Sequence, residues 1–136
     1  MLLKSTILVY KLSSLAYKFY RLNELKMTNE RMIIMLRIKP NCEYCDKNLP
    51  PNSLEAMICT FECTFCKTCV NDILNNVCPN CGGAFCTRPI RPIIEHRAGL
   101  SLQNHPASTE RVQSSYTLNE IKEFSARIQN IPPRKR

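Results

Sequence analysis

The stretch Ile58–Val70 reads ICTFECTFCKTCV, and it places Cys59, Cys63, Cys66 and Cys69 within eleven residues. Thiols at this density have two common uses, disulfide staples or metal ligation, and the compartment separates them. Widening the view brings in Cys42, Cys45, Cys78 and Cys81. The eight cysteines then fall into pairs: Cys42-x2-Cys45, Cys59-x3-Cys63, Cys66-x2-Cys69 and Cys78-x2-Cys81. A two-residue gap lets the backbone turn around one ion so that both sulfurs reach it. Thiolate is soft and suits tetrahedral zinc, for which four ligands close a structural site. Eight ligands predict two Zn2+ ions.

All nine cysteines lie between Cys42 and Cys86 of the 136 residues, so the unusual composition belongs to one segment. A segment this short cannot bury much apolar surface, and it needs a crosslink to fold. The N-terminus, MLLKSTILVYKLSSLAYKFYRL, does not match the pattern expected of a secretory signal: Lys4, Lys11 and Lys18 interrupt its apolar positions and no small-residue cleavage pattern follows. No apolar run of about 18 residues or more is present to span a membrane. The expected location is therefore cytoplasmic, where thiols stay reduced and clustered cysteines serve metal.

Charge is unevenly spread. Residues 1–40 carry +6, residues 41–92 carry −1 and residues 93–136 carry +3. The basicity sits in the arms, outside the Cys-rich module.

The chain divides into three segments on this reading. Residues 1–34 form an amphipathic basic extension, with Leu8, Leu12, Leu15, Phe19 and Leu22 at helical spacing. A partner-packed or loosely ordered helix is favoured there over a membrane-surface helix. Met27, Met32 and Met35 are alternative starts, so a mis-assigned start is a second expectation for this extension. Residues 35–92 form the two-zinc module. Pro40, Pro50, Pro51, Pro79, Pro89 and Pro92 keep its elements short. EAMICTF and ECTFC predict two strands, TCVNDILNN a short helix, and GGAFCTRPI a last strand. Residues 93–136 hold an irregular linker, a helix and a basic tail. Thr117 and Glu120 form a capping-box pattern, Leu118, Ile121, Phe124 and Ile128 trace one face, and Pro132-Pro133 ends the run.

Within CPNCGG, Gly82 and Gly83 are expected at positive φ, which turns backbone N–H groups toward sulfur. Lys47, Lys67 and Arg88 are close to the ligands in sequence, where they would either offset thiolate charge or be solvated. Cys86 is the odd thiol, expected as a small buried hydrophobe. His96 and His105 fall outside the pair spacing and are not expected as ligands.

Spacing leaves two ways to share the ions. The sequential scheme uses the first four cysteines and then the last four. The interleaved scheme places Cys42, Cys45, Cys66 and Cys69 on one ion and Cys59, Cys63, Cys78 and Cys81 on the other. Interleaving is preferred because it ties distant segments around the helix that carries Ile73 and Leu74. The spacing resembles the RING-type cross-brace, with Cys63 where that family usually has His. That resemblance implies a small zinc-stabilised α+β fold with short strands, one short helix and flanking helices.

A longer pattern, PNCEYCDKNLPPNSLEAMICTFECTFCKTCV…CPNCGG…RPIRP, resembles a small uncharacterised bacterial Cys-rich family, a domain of unknown function. The likeness covers roughly residues 35–92 and continues more weakly into NHPASTERV. It implies a small cytoplasmic protein and carries no assigned activity.

Closed four-thiolate sites leave no position for water or substrate, so the expected role is binding, to a protein partner, and not catalysis. A ubiquitin-ligase-like RING is an alternative, but the positions that resemblance makes important hold Glu43, Gly82 and no Trp, and only Pro79 agrees. Nucleic-acid binding through the basic arms is another alternative. The module itself argues against that reading, since two Zn2+ and eight thiolates bring it to a net charge of about −5. Cys59-x3-Cys63-x2-Cys66 resembles the cluster triad of radical-SAM enzymes, whose barrel this chain is too short to build. No nucleotide loop, catalytic triad, paired-carboxylate site or small-molecule site is evident, and Asp46, Glu55, Glu62 and Asp72 are expected as surface charges.

Overall fold

The computed structural model describes residues 35–136. Leu36–Arg136 forms one compact unit. The amphipathic extension expected over residues 1–34 lies outside the described residues.

Three short strands build one antiparallel sheet. Ala56–Ile58 (β1) pairs with Thr64–Cys66 (β2) in the register Ala56↔Cys66, Met57↔Phe65 and Ile58↔Thr64. Cys86–Thr87 (β3) pairs with the other edge of β1, giving the order β2-β1-β3. Both expected N-terminal strands form, and the turn between them is drawn tight by the Glu62 N–H donating to the Cys59 carbonyl at 3.0 Å. Strands of two or three residues have little stability alone. Their inner faces gain it from a core of Leu49, Ala56, Phe65, Val70 and Leu74, together with buried cysteines. Phe65 meets Phe85 edge-on, with ring centroids 5.4 Å apart.

Lys67–Asp72 (α1) follows β2 directly. It is shorter than the helix expected over TCVNDILNN. Asn75 and Asn76 adopt φ of 49° and 57°, a left-handed conformation that Asn tolerates and that ends a helix. The reason is positional: the chain must reverse within a few residues to bring Cys78 back to the core. Val70 and Leu74 are buried and Ile73 is half-buried, so the expected apolar face holds.

Beyond β3 the chain is irregular from Arg88 to Tyr116 and then forms Leu118–Ile128 (α2). Its start is the expected capping box. The Thr117 N–H donates to Glu120 Oε2 at 2.7 Å, and the Glu120 N–H donates to Thr117 Oγ1 at 3.3 Å. Ile121 on α2 is fully buried within the module's core. Pro133–Lys135 closes the chain as a 3-10 turn.

Arg88 is 1% exposed and so is not a solvated cation. Its guanidinium donates to the carbonyls of Lys39 at 2.7 Å, Leu49 at 3.1 Å and Pro50 at 2.7 Å. It thereby ties β3's exit to residues 39–50, which form no strand among the described residues. Burial holds this guanidinium below its usual pKa. Cys86, expected to be buried, is exposed, as is Thr87 beside it, because nothing pairs with or covers the outer edge of the two-residue β3 among the described residues.

Candidate metal centre

Two groups of thiols assemble on this frame. The sulfurs of Cys42, Cys45, Cys66 and Cys69 all lie within 4.8 Å of one another. Those of Cys59, Cys78 and Cys81 form a second group on the same measure. Pairs that alternate along the chain therefore share a group, so Cys42 and Cys45 meet Cys66 and Cys69 across the intervening strands. Cys63 lies outside the mutual spacing of the second group, yet the neighbouring Cys78 and Cys59 thiols help lower its pKa. Among the described residues, His96 and His105 join neither group.

Local backbone chemistry explains how each pair is presented. After Cys42, the Asp46 N–H donates to the Cys42 carbonyl at 3.0 Å and the Cys42 N–H to the Lys47 carbonyl at 2.9 Å. After Cys78, the Gly82 N–H donates to the Cys78 carbonyl at 2.7 Å and the Cys78 N–H to the Gly83 carbonyl at 2.8 Å. The two turns are the same motif at the same offsets. Each has its fifth residue in the left-handed region, Asp46 at φ 61° and Gly82 at φ 76°. Gly82 was legible as such a residue, and Asp46 is its unexpected counterpart. Gly83 is not at positive φ, contrary to expectation, but its N–H does donate to Cys81 Sγ at 3.4 Å.

Other sulfurs receive similar support. The Phe61 N–H donates to Cys59 Sγ at 3.3 Å, and the Cys69 N–H donates to Cys66 Sγ at 3.4 Å, which also caps α1. Backbone donors aimed at sulfur favour the thiolate that metal binding requires. Burial works the other way. Desolvation pushes Cys59 up to about 11 and also raises Cys42 and Cys69. Cys63 and Cys78 form a coupled pair. Their mutual hydrogen bond holds Cys63 down at about 5 and pushes Cys78 up.

The donor set fits a soft divalent metal: sulfur only, tightly grouped, and largely buried, with Cys45 and Cys81 the exposed members. Lys47 stands beside the first group. Its ion pair with Glu55 and the nearby Cys66 and Cys45 all raise its pKa. Lys67 is exposed on the first turn of α1.

Composition alone did not mark Glu43 as important. Its carboxylate is buried, accepting from Lys39 Nζ at 2.5 Å, from the Thr64 N–H at 2.8 Å and from Asn80 Nδ2 at 3.4 Å. It adjoins Cys42 of the first group in sequence and reaches Asn80 between Cys78 and Cys81. Of the carboxylates expected at the surface, Asp46, Glu55 and Asp72 are exposed, and Glu62 is half-buried, accepting from the Arg37 N–H.

Comparison with known proteins places the molecule. Residues 35–91 match the family model described as a protein of unknown function, DUF1272. An uncharacterized protein of Rhizobium meliloti is 54% identical over 78 residues, covering 57% of this chain and 86% of that relative. The chain belongs to this family of unknown function. No solved structure matches it significantly. Among the described residues, no helix is long and apolar enough to cross a membrane.

Proposed function

We propose that this protein is a zinc-stabilised interaction module, working by binding and not by catalysis. One Zn2+ would be held by Cys42, Cys45, Cys66 and Cys69, and a second by Cys59, Cys78 and Cys81 with Cys63 as the fourth ligand. The observation that carries this reading is the interleaving of the pairs, which gives the cross-brace logic of RING-like modules. Zinc supplies crosslinks here: it ties β1, β2, α1 and both CxxC turns together in a chain whose strands are too short to stand alone. Four sulfur ligands per ion leave no open position for chemistry. Nine free thiols with no disulfide fit a reducing compartment such as the cytoplasm.

Metal content of the freshly purified chain, with its absorption spectrum, tests the proposal. Two zinc per chain with no visible colour is the expected result. Iron with sulfide and a brown chromophore would overturn it, as would a chain that folds fully without metal.

A further inference from the structure

We propose that the C-terminal helix α2 is a detachable strap, held down only while the second thiol group is assembled, so that metal loss there frees residues 117–136 as a basic arm. This deepens the metal-site reading and rests on it. The contacts of α2 with the rest of the unit gather on one stretch, Leu74 to Gly82. Ser125 Oγ donates to the Leu74 carbonyl at 2.9 Å, and Asn75 Nδ2 approaches Ser125 Oγ at 3.4 Å. Arg136 donates to the Asn76 carbonyl at 2.7 Å. Phe124 and Ile128 lie against Gly82, where an added Cβ would come within 3.5 and 3.6 Å of them. Ile121 is buried in the core cluster that also contains Cys78 and Leu74.

That receiving stretch has no helix or strand of its own. It also holds three residues in the left-handed region, Asn75, Asn76 and Gly82. Asn and Gly tolerate this conformation, and the hydrogen bonds around them fix where it occurs. Asn75 and Asn76 are held by the end of α1, where the Leu74 N–H donates to the Cys69 carbonyl at 2.9 Å and the Asn76 N–H to the Val70 carbonyl at 3.0 Å, whereas Gly82 is held by the Cys78 turn that presents Cys78 and Cys81 beside Cys59. Removing the crosslink at Cys78 and Cys81 loosens the Gly82 turn against which Phe124 and Ile128 pack, and leaves α2 only its polar contacts at Leu74 to Asn76 and the burial of Ile121. The helix has eleven residues, too few to persist in isolation, so release also means melting.

The segment just before α2 is anchored elsewhere. Asn41 and Val112 exchange hydrogen bonds at 2.8 and 3.1 Å, and Arg111 binds Asp46 and Asn48. The Ser114 N–H donates to the Glu43 carbonyl at 2.6 Å. These partners surround the Cys42–Cys45 turn of the first group. Loss of the second group alone should therefore free the chain after about Tyr116 and leave residues 108–114 in place. The freed segment carries Lys122, Arg127, Arg134, Lys135 and Arg136 against Glu120 and Glu123.

The test is limited trypsin digestion of the full chain, read by mass spectrometry alongside metal stoichiometry. Cys81→Ser alters the exposed member of the second group and should leave one metal per chain. Cleavage after Lys122 and Arg127 should then accelerate about ten-fold or more, because proteolysis follows local opening. Lys47 and Lys67, beside the first group, should stay as protected as in the two-metal protein. Unchanged protection of α2 after loss of the second metal would overturn the proposal, and so would general digestion at Lys47 and Lys67. Ile121→Asp should free α2 with both metals retained. Metal loss in that variant would show one indivisible unit and overturn the strap. A wild-type chain that binds no metal would instead remove the metal-site reading itself.

Discussion

Glu43 and Thr64 are joined twice: the Glu43 N–H donates to the Thr64 carbonyl at 2.9 Å, and the Thr64 N–H donates to Glu43 Oε1 at 2.8 Å. The residue after Cys42 is thereby fastened to the residue after Cys63. Cys42 of the first group and Cys63, the proposed fourth ligand of the second, are placed through this contact by the chain alone.

Glu43→Ala should cost about 3 kcal/mol, because it strands Lys39 and the buried Thr64 N–H. Glu43→Gln keeps an acceptor for Thr64 and should cost less. Urea unfolding of the metal-loaded protein, with bound metal measured in parallel, checks the ranking. Equal stability of all three proteins would refute a structural role for the carboxylate.

Arg88→Met should destabilise by about 2–4 kcal/mol, since three inward-facing carbonyls lose their donors. Arg88→Lys should recover only part, as one ammonium lacks the planar fork that reaches Lys39, Leu49 and Pro50 together. Thermal unfolding monitored by circular dichroism gives the order. A Met variant as stable as the native protein would mean that water satisfies these carbonyls equally well.

Metal affinity should fall with acid. Cys59, pushed up to about 11 by desolvation, is protonated near neutrality, as are Cys42, Cys69 and Cys78, so uptake of metal must displace protons. Each displaced proton weakens binding by about ten-fold per unit of pH lost. Cys63 has the opposite shift but the same consequence. Its pKa is depressed to about 5 from an ordinary 9.0, so it contributes stability above the ordinary value that is lost as pH falls through 5. Chelator competition near pH 8 and near pH 6 should show tighter binding at the higher value. Equal affinity at both would show that the ligands are not thiols.

Cys86 should be the one thiol that a maleimide labels rapidly in the metal-loaded protein. It is exposed on the edge strand and belongs to neither group. Cys86→Ser should change stability by no more than about 0.5 kcal/mol and leave metal content unaltered. Intact-mass analysis counts the labels. Loss of metal in the Ser variant would make Cys86 a ligand.

Much of the site was legible from short-range pattern. The CxxC pairs, the Thr117–Glu120 capping box, the two strands around Cys59–Cys66 and the left-handed Gly82 each depend on residues close in sequence, where spacing and backbone preference decide the outcome. The pattern TCVNDILNN overextends helix α1 because Asn75 and Asn76 look neutral in a helical window, while the return of Cys78 to the core requires them to reverse the chain.

What the sequence determined by itself was a Cys-rich module with eight paired thiols, short elements and a capped C-terminal helix. Tertiary structure alone decided which pairs meet, since Cys42 and Cys69 are neighbours only once β1, β2 and α1 fold between them. It also decided that Arg88 and Glu43 are buried, that Cys86 is exposed and that α2 rests on the second CxxC turn. Each of these depends on contacts between residues far apart in the chain, such as Arg88 with Lys39, 49 residues away. Charge and hydrophobicity read along a sequence register what a residue is, whereas burial depends on what the fold brings to it.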